Sequence, residues 1–114
     1  MPYLKIQTNL HLGKKTQLTI LRRASSLISL KLEKAESLVM VALQPDTTML
    51  FAGTDEPVAF LELMSAGLPG RKTRKLSRSL CDLIVRHLEL PKNRVYVKFI
   101  DGHRGMWGWR GDTL

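Results

Sequence analysis

The residue best placed to do chemistry in this chain is the proline at position 2. Pro2 follows Met1 directly and opens a strand-like segment over residues 3–9. Removal of the methionine would leave Pro2 with a free secondary amine, which no internal residue can supply. An α-amino group titrates near about 7.7–8.0, and an apolar pocket lined by cations would lower that pKa. Pro2 is therefore a candidate general base, although Met-Pro alone is also a common and uninformative N-terminus.

The other residue types that carry chemistry indicate no site of their own. The lone cysteine, Cys81, excludes an internal disulfide and any paired-thiol motif. The three histidines, His11, His87 and His103, lack the spacing of metal ligands. We therefore expect neither a metal nor a cofactor.

The chain is strongly basic, with a net charge of +8 and a pI near 10.1. The cations are concentrated in two clusters, residues 14–23 and residues 71–78. A binding site for single-stranded nucleic acid would place aromatic side chains among its cations, and neither cluster contains one. Solvated helix faces are the favoured interpretation, and nucleic acid is disfavoured as a partner. Weak, salt-sensitive binding to a polyanion remains open.

The hydrophobic pattern repeats once along the chain, half a chain length apart. It predicts strands over 3–9, 37–44, 57–66 and 94–101 and helices over 14–32 and 71–88. A strand–helix–strand unit of this length implies parallel strands and a right-handed crossover. Two such units predict an α/β (α+β) fold, with a four-stranded mixed sheet carrying both helices on one face.

The predicted strands are apolar on both sides, and residues 37–44 in particular form a nearly continuous apolar run typical of a strand buried on both faces. An uncovered apolar sheet face would drive association, so we expect an oligomer. The tail from residue 102 carries Trp107 and Trp109, which would point the same way on a short strand. They could cover the chain's own core, pack on a neighbouring subunit or line a pocket.

At 114 residues the chain is long enough for one domain, and we predict a single domain over 1–114 with pseudo-repeats at 1–56 and 57–114. The N-terminus lacks a signal peptide pattern, and no apolar run reaches the length of a membrane span. We expect a cytoplasmic protein without membrane attachment, and leaderless export is compatible with this.

Taken together, these features resemble the macrophage migration inhibitory factor family of the tautomerase superfamily. The resemblance covers essentially the whole chain. It rests on Pro2 followed by YLKIQTNL, Lys34, Pro45-Asp46, Phe51, Glu56-Pro57-Val58-Ala59, Ser65-Ala66-Gly67, Asn93-Arg94-Val95-Tyr96 and Gly108-Trp109. Each piece is weak evidence by itself, and their order and spacing make the match specific.

The resemblance implies a homotrimer with active sites between subunits and a small aromatic 2-keto acid or its enol as substrate, of the phenylpyruvate or dopachrome type. Pro2 would be the catalytic base, and Lys34 would bind the substrate carboxylate. The other implied substrate-binding residues are the backbone amide of Ala66, the aromatic wall Trp109, and Tyr96 and Lys98 from the neighbouring subunit.

Several positions depart from the family pattern. Lys98 stands where an asparagine is usual, Ala66 where isoleucine is usual, and Leu114 where a phenylalanine closes the pocket. Residues 58–61, which match a CxxC motif in the vertebrate cytokine, contain no cysteine, so thiol oxidoreductase activity is not expected. Besides the tautomerase, two alternatives stay open: a cytokine-like interaction protein with a vestigial pocket, and a basic polyanion-binding module.

Overall fold

The fold consists of one four-stranded sheet, two helices and a short C-terminal hairpin. The computed structural model describes residues 1–114. In chain order the elements are β1 (Tyr3–Thr8), α1 (Lys14–Leu32), β2 (Met40–Gln44), β3 (Ala59–Ala66), α2 (Thr73–Leu88), β4 (Val95–Gly102), β5 (Gly108–Trp109) and β6 (Asp112–Thr113).

The sheet has the strand order β2-β1-β3-β4 and contains both parallel and antiparallel pairs. β1 runs parallel to β2, and β3 runs parallel to β4, with α1 and α2 as the respective crossovers. The two units join through the antiparallel pair β1–β3, in which Leu4 lies opposite Leu63. This arrangement confirms the predicted mixed sheet of two strand–helix–strand units.

The hydrophobic core lies between one sheet face and the two helices. Alternate residues of the central strands point into it, including Leu4 and Ile6 of β1 and Leu61 and Leu63 of β3, all with 0% exposure. Each helix contributes a stripe with a period of four residues: Ile20, Ala24, Ile28 and Leu32 from α1, and Leu76, Leu80, Ile84 and Leu88 from α2. Both helices therefore cover the same face of the sheet, as the sequence predicts.

The two helices end with the same backbone conformation, so the two strand–helix–strand units resemble each other in backbone geometry as well as in hydrophobic pattern. Glu33 follows α1 with φ 54° and ψ 44°, and Glu89 follows α2 with φ 56° and ψ 43°. This left-handed conformation is a common way to end a helix, usually at glycine. In α1 it lets the Lys34 N–H donate to the Ser29 carbonyl at 3.1 Å, which turns the chain back towards the sheet.

Element boundaries differ from the sequence prediction by up to three residues. The largest difference is at β2, which begins at Met40 because residues 36–38 form a 3-10 turn, in which the Leu38 N–H donates to the Ala35 carbonyl. Similarly, residues 70–72 form a 3-10 turn ahead of α2. Such turns are frequent at helix ends and as connectors.

The prediction that the strands are apolar on both sides is wrong for the face without helices, which we call the open face. Its middle row places Lys5, Glu62 and Lys98 side by side. One neighbouring row is apolar and contains Met40, Tyr3, Met64 and Ile100. β2 is an edge strand, and within one chain it is not buried on both faces as predicted, since Met40 is 66% exposed.

Arg94, at the start of β4, forms hydrogen bonds with the segment that connects β2 to β3. Its guanidinium donates to three backbone carbonyls, those of Pro57 at 2.8 Å, Glu56 at 2.9 Å and Phe51 at 3.3 Å. The same guanidinium lies 5.1 Å from the centre of the Phe51 ring, and that ring packs edge-on against Tyr96. Through these contacts the buried Arg94 links Phe51 and the Glu56-Pro57 segment, which are separate in the sequence, to the start of β4.

Candidate functional site

The start of the chain lies in a pocket of about 230 Å³. The pocket is mostly apolar and also contains two cations. Its lining residues are Met1, Lys34, Leu38, Ala66, Arg104, Trp109 and Leu114. It thus collects the N-terminus, the segment after α1, the end of β3 and the C-terminal tail, which are four separate parts of the sequence.

Backbone hydrogen bonds fix the N-terminal side of this pocket. The Met40 N–H donates to the Pro2 carbonyl at 3.0 Å, which extends the pairing of β1 and β2 up to Pro2. Pro2 itself is buried. Lys34 is held by the end of α1, where the Ser29 hydroxyl donates to the Lys34 carbonyl at 2.6 Å. Pro2 and Lys34 therefore sit on ordered backbone.

The C-terminal tail forms the opposite wall. After β4 the chain makes a 3-10 turn over residues 104–106 and enters the β5–β6 hairpin. Trp107 packs directly over Gly102, where any Cβ atom would collide with the indole nitrogen. The Leu114 N–H donates to the Trp107 carbonyl at 3.0 Å, which folds the last residue back to the pocket.

The two tryptophans therefore contact different surroundings. Trp107 is half-buried against its own strand β4, whereas Trp109 lines the pocket and is 44% exposed. The sequence left open whether these tryptophans cover the chain itself, pack on a neighbouring subunit or line a pocket. The structure supports the first alternative for Trp107 and the third for Trp109. The Arg110 guanidinium lies 5.2 Å from the centre of the Trp109 ring.

The pocket disfavours positive charge on an amine. The pKa of the N-terminal amine on Met1 is lowered from its usual value, first by burial and then by the positive charges of Lys34 and Arg104. Each cause destabilises the protonated amine. An amine at this position is therefore neutral over more of the physiological range than an ordinary N-terminus.

The structure brings together four of the six residues singled out from the sequence. Lys34, Ala66 and Trp109 line the pocket, and Pro2 lies directly after Met1, which also lines it. Tyr96 and Lys98 do not belong to this pocket within one chain: both are on the open face of β4, next to Phe60 and Glu62.

Sequence reasoning missed Arg104 and Leu38 as lining residues of this pocket, whereas Leu114, which the resemblance places at the closure of the pocket, does line it. Arg104 is the more consequential of the two missed residues because it adds a second positive charge. It lies in the irregular segment after β4, where no hydrophobic period exists to indicate its direction. The only available signal was the presence of a cation in the tail that also carries Trp109.

Larger cavities elsewhere in the molecule do not contain the N-terminus. One of about 500 Å³ lies beside α2 and includes Cys81. Burial, followed by the negative charge of Asp82, raises the pKa of the Cys81 thiol, so this group is a poor nucleophile at neutral pH. No three histidine, cysteine, aspartate or glutamate residues are grouped so that they could hold a metal ion, and none of the helices has the length and apolar character needed to cross a membrane.

Fold and pocket together define a class of small α+β proteins, in which two strand–helix–strand units form one sheet and the N-terminus lies in a cationic pocket. The family model described as "Macrophage migration inhibitory factor (MIF)" matches residues 1–114. A relative described as a macrophage migration inhibitory factor homolog, from Brugia malayi, is 32% identical and aligns over 100% of this chain and 99% of its own.

Solved structures agree with this match. A macrophage migration inhibitory factor homologue from Prochlorococcus marinus superposes with a TM-score of 0.92 at 33% identity, covering 97% of each chain. The protein from Trichinella spiralis gives 0.89 at 31% identity, covering 98% of this chain and 99% of its own. The chain therefore belongs to the macrophage migration inhibitory factor family of the tautomerase superfamily. That family includes proteins with tautomerase activity and with cytokine-like roles.

Proposed function

We propose that this protein is a cofactor-free keto–enol tautomerase in which the amine of Pro2, freed by removal of Met1, is the general base. The observation that carries this proposal is the convergence of the chain start, Lys34, Arg104 and Trp109 in one pocket. Family membership supports it independently.

The reaction moves one proton between two atoms of the same substrate. The neutral Pro2 amine accepts the proton of the enol hydroxyl of an arylpyruvate such as phenylpyruvate, and then delivers it to the adjacent carbon to give the keto form. No atom or electron is gained or lost overall. Lys34 and Arg104 bind the substrate carboxylate through charge-assisted hydrogen bonds, the Ala66 amide donates a further hydrogen bond, and Trp109 packs against the ring.

Burial and the positive charges of Lys34 and Arg104 lower the pKa of the Met1 amine. After removal of Met1 the Pro2 amine would start the chain beside the same cations, so we expect its pKa to be lowered for the same reasons, which would keep the base unprotonated near neutral pH. While Met1 remains attached, the Pro2 nitrogen is an amide without basicity. The unprocessed chain is therefore inactive under this proposal.

We further propose that the active molecule is a homotrimer in which the open faces of three sheets meet. The apolar row of Met40, Tyr3, Met64 and Ile100 supports burial of this face. Within such an assembly Tyr96 and Lys98, which lie outside the pocket of their own chain, would reach the pocket of a neighbouring subunit.

The test combines an intact-mass measurement with the phenylpyruvate tautomerase rate on one preparation. Processed protein should be active, and Pro2→Gly should reduce the rate by at least about a hundredfold, the usual contribution of a general base, without unfolding the protein. Pro45→Gly is the matched control, because it makes the same substitution away from the pocket and should retain activity. Full activity in Pro2→Gly would refute the proline-base mechanism.

A second function, cytokine-like binding to another protein, is supported by the names of relatives such as the macrophage migration inhibitory factor of Xenopus tropicalis. The same experiment separates the two functions. Processed, folded protein with a free Pro2 and no activity towards arylpyruvates would favour the binding role, with the pocket serving as a docking site.

A further inference from the structure

The positive charge of the molecule is concentrated on its helices. We define the helical layer as residues 14–32 and 70–88. It contains eleven lysines and arginines and one acidic residue, Asp82, for a net charge of +10, which leaves −2 on the rest of a chain with net charge +8. Only Lys72 has an ion-pair partner in the chain, Glu33 at 3.4 Å; the other cations of the layer are exposed. Such an uncompensated surface attracts anionic partners.

A groove between α1 and α2 runs across this layer. It consists of two adjoining cavities of about 600 and 520 Å³ that share Leu30 as a lining residue. Leu30 is 74% exposed. The groove follows α1 from Thr19 to Lys31, a length of about 18 Å at the usual helical rise.

The groove is apolar along its floor and cationic at both ends. Leu27 and Leu83 line one cavity and Leu76 the other. Arg22 and Arg23 flank the first cavity. The cations at the opposite end are Lys31, Arg71, Lys72 and Lys75. Glu33 also lines this end and pairs with Lys72, which leaves three cations there without an ion-pair partner.

We propose that this groove binds an acidic amphipathic helix of a partner protein. A helix that lies in an apolar groove anchors itself through side chains spaced i, i+3, i+4 and i+7. Three to four turns of such a helix would cover the groove and place leucine-type side chains on both sides of Leu30. Carboxylates at its two ends would meet the arginines and lysines, which explains why the cations occur at both ends and not along the floor.

Other anionic surfaces fit this groove less well. An anionic bilayer is flat on this scale, and a helix that lies on it buries a continuous apolar face, whereas here only Leu30 projects and the other leucines are recessed. Nucleic acid is bound through phosphates, and single strands through stacking on aromatic side chains. The helical layer contains no phenylalanine, tyrosine or tryptophan, and phosphate contacts make no use of an apolar floor.

The test uses a fluorescein-labelled synthetic helix of about 14 residues, long enough to span the groove, with leucines on one face and glutamates at both ends. The comparison probes are a scrambled peptide of the same composition, a DNA duplex of similar length, and vesicles of phosphatidylserine and phosphatidylcholine. Binding is measured by fluorescence anisotropy for the peptides and the duplex and by co-sedimentation for the vesicles, using the full-length processed protein at about 0.15 M salt.

Leu30→Gln should weaken peptide binding by about tenfold or more, as expected for a central anchor residue. Arg23→Gln should weaken it by a similar factor, as expected for the loss of a hydrogen bond between charged groups at one end of the groove. Lys14→Gln removes the same charge from the same layer outside the groove and should leave binding within about twofold, as expected of an exposed charge. All three positions are exposed, and thermal unfolding should show that the variants stay folded. The peptide should bind more tightly than its scrambled form.

Four results would overturn the proposal. The first is the absence of peptide binding, and the second is equal binding of the scrambled peptide. The third is an equal loss of affinity in Lys14→Gln and Arg23→Gln, which would show only non-specific attraction between charges. The fourth is tighter binding of the duplex or the vesicles with no effect of Leu30→Gln, which would assign the surface to nucleic acid or lipid.

Discussion

At the scale of single residues, Lys34 and Arg104 place two positive charges beside one amine. Both lower the pKa of the amine at the start of the chain, and in the proposed reaction both also meet the substrate carboxylate. Under the proposed function, a single set of charges would keep the base neutral and bind the substrate. Binding and proton transfer are therefore linked at this site and should respond together to substitution.

We predict that Lys34→Gln and Arg104→Gln each raise the pKa of the Pro2 amine. Because the base must be unprotonated, the acidic limb of the kcat/KM profile should move to higher pH in each variant. KM for phenylpyruvate should also rise by about tenfold or more, as for the loss of a hydrogen bond to a charged group. Lys15→Gln, a charge removal on α1, is the control. An unshifted acidic limb would show that neither cation affects the base.

At this scale the position of a residue could be predicted where the residue belongs to a short motif that matches the family, whereas its role in substrate binding stays a prediction. Lys34, Ala66 and Trp109 fall into this group and line the pocket. Arg104 lies in a turn between β4 and β5, and its position depends on how the tail folds back over Gly102. That packing depends on tertiary contacts of Trp107 and Leu114, and the hydrophobic periodicity of the sequence carries no information about such contacts.

At the scale of elements, the connection between β2 and β3 depends on one buried side chain. Arg94→Ala would leave the carbonyls of Phe51, Glu56 and Pro57 without their guanidinium donor. The Phe51 and Glu56 carbonyls keep other donors, the Thr54 N–H and the Asn9 side-chain amide, so what is lost is a set of hydrogen bonds to a charged group. We expect the free energy of unfolding to fall by about 1.5–3 kcal/mol, measured by chemical denaturation. Arg86→Ala, an exposed arginine on α2, should change stability by less than about 0.5 kcal/mol. Similar losses in both variants would contradict this role of Arg94.

The hairpin at the C-terminus depends on the absence of a side chain at position 102. Gly102→Ala introduces a Cβ where the Trp107 indole lies, so we expect the tail to move and the pocket wall formed by Trp109 and Leu114 to loosen. The measurement is the KM for phenylpyruvate together with tryptophan fluorescence. Gly105→Ala is the matched control, because a Cβ there meets no atom within 4 Å. Unchanged fluorescence and KM in Gly102→Ala would refute this role.

The elements themselves were largely predictable, because a hydrophobic period records which side of an element is buried. The helix over Lys14–Leu32 was predicted with its observed bounds. The composition of the open face could not be predicted, because a short apolar run such as that of β2 does not distinguish a central strand from an edge strand. The row of Lys5, Glu62 and Lys98 is visible only once strand order and register are known.

At the scale of the whole molecule, the open face would form the contacts between subunits of the proposed trimer. We predict that Met64→Lys disrupts the proposed trimer, because it adds a charge to the apolar row that would be buried between subunits. Light scattering coupled to gel filtration should show a fall from the mass of a trimer to that of one chain. Thr16→Lys adds the same charge on α1 and should keep the trimer intact. A wild-type protein that elutes as a monomer would refute the assembly itself.

The unequal division of charge between the helical layer and the rest of the chain gives each chain one positive side, the side of its helices. In the proposed trimer the open faces meet at the centre and the three helical layers face outward, so the assembly presents positive charge all around its circumference. The field of this charge draws an anionic partner towards the helices, raises the rate of productive encounters and loses its effect as salt shortens its range. The fold therefore determines which side of the molecule a partner meets first, before any contact has formed.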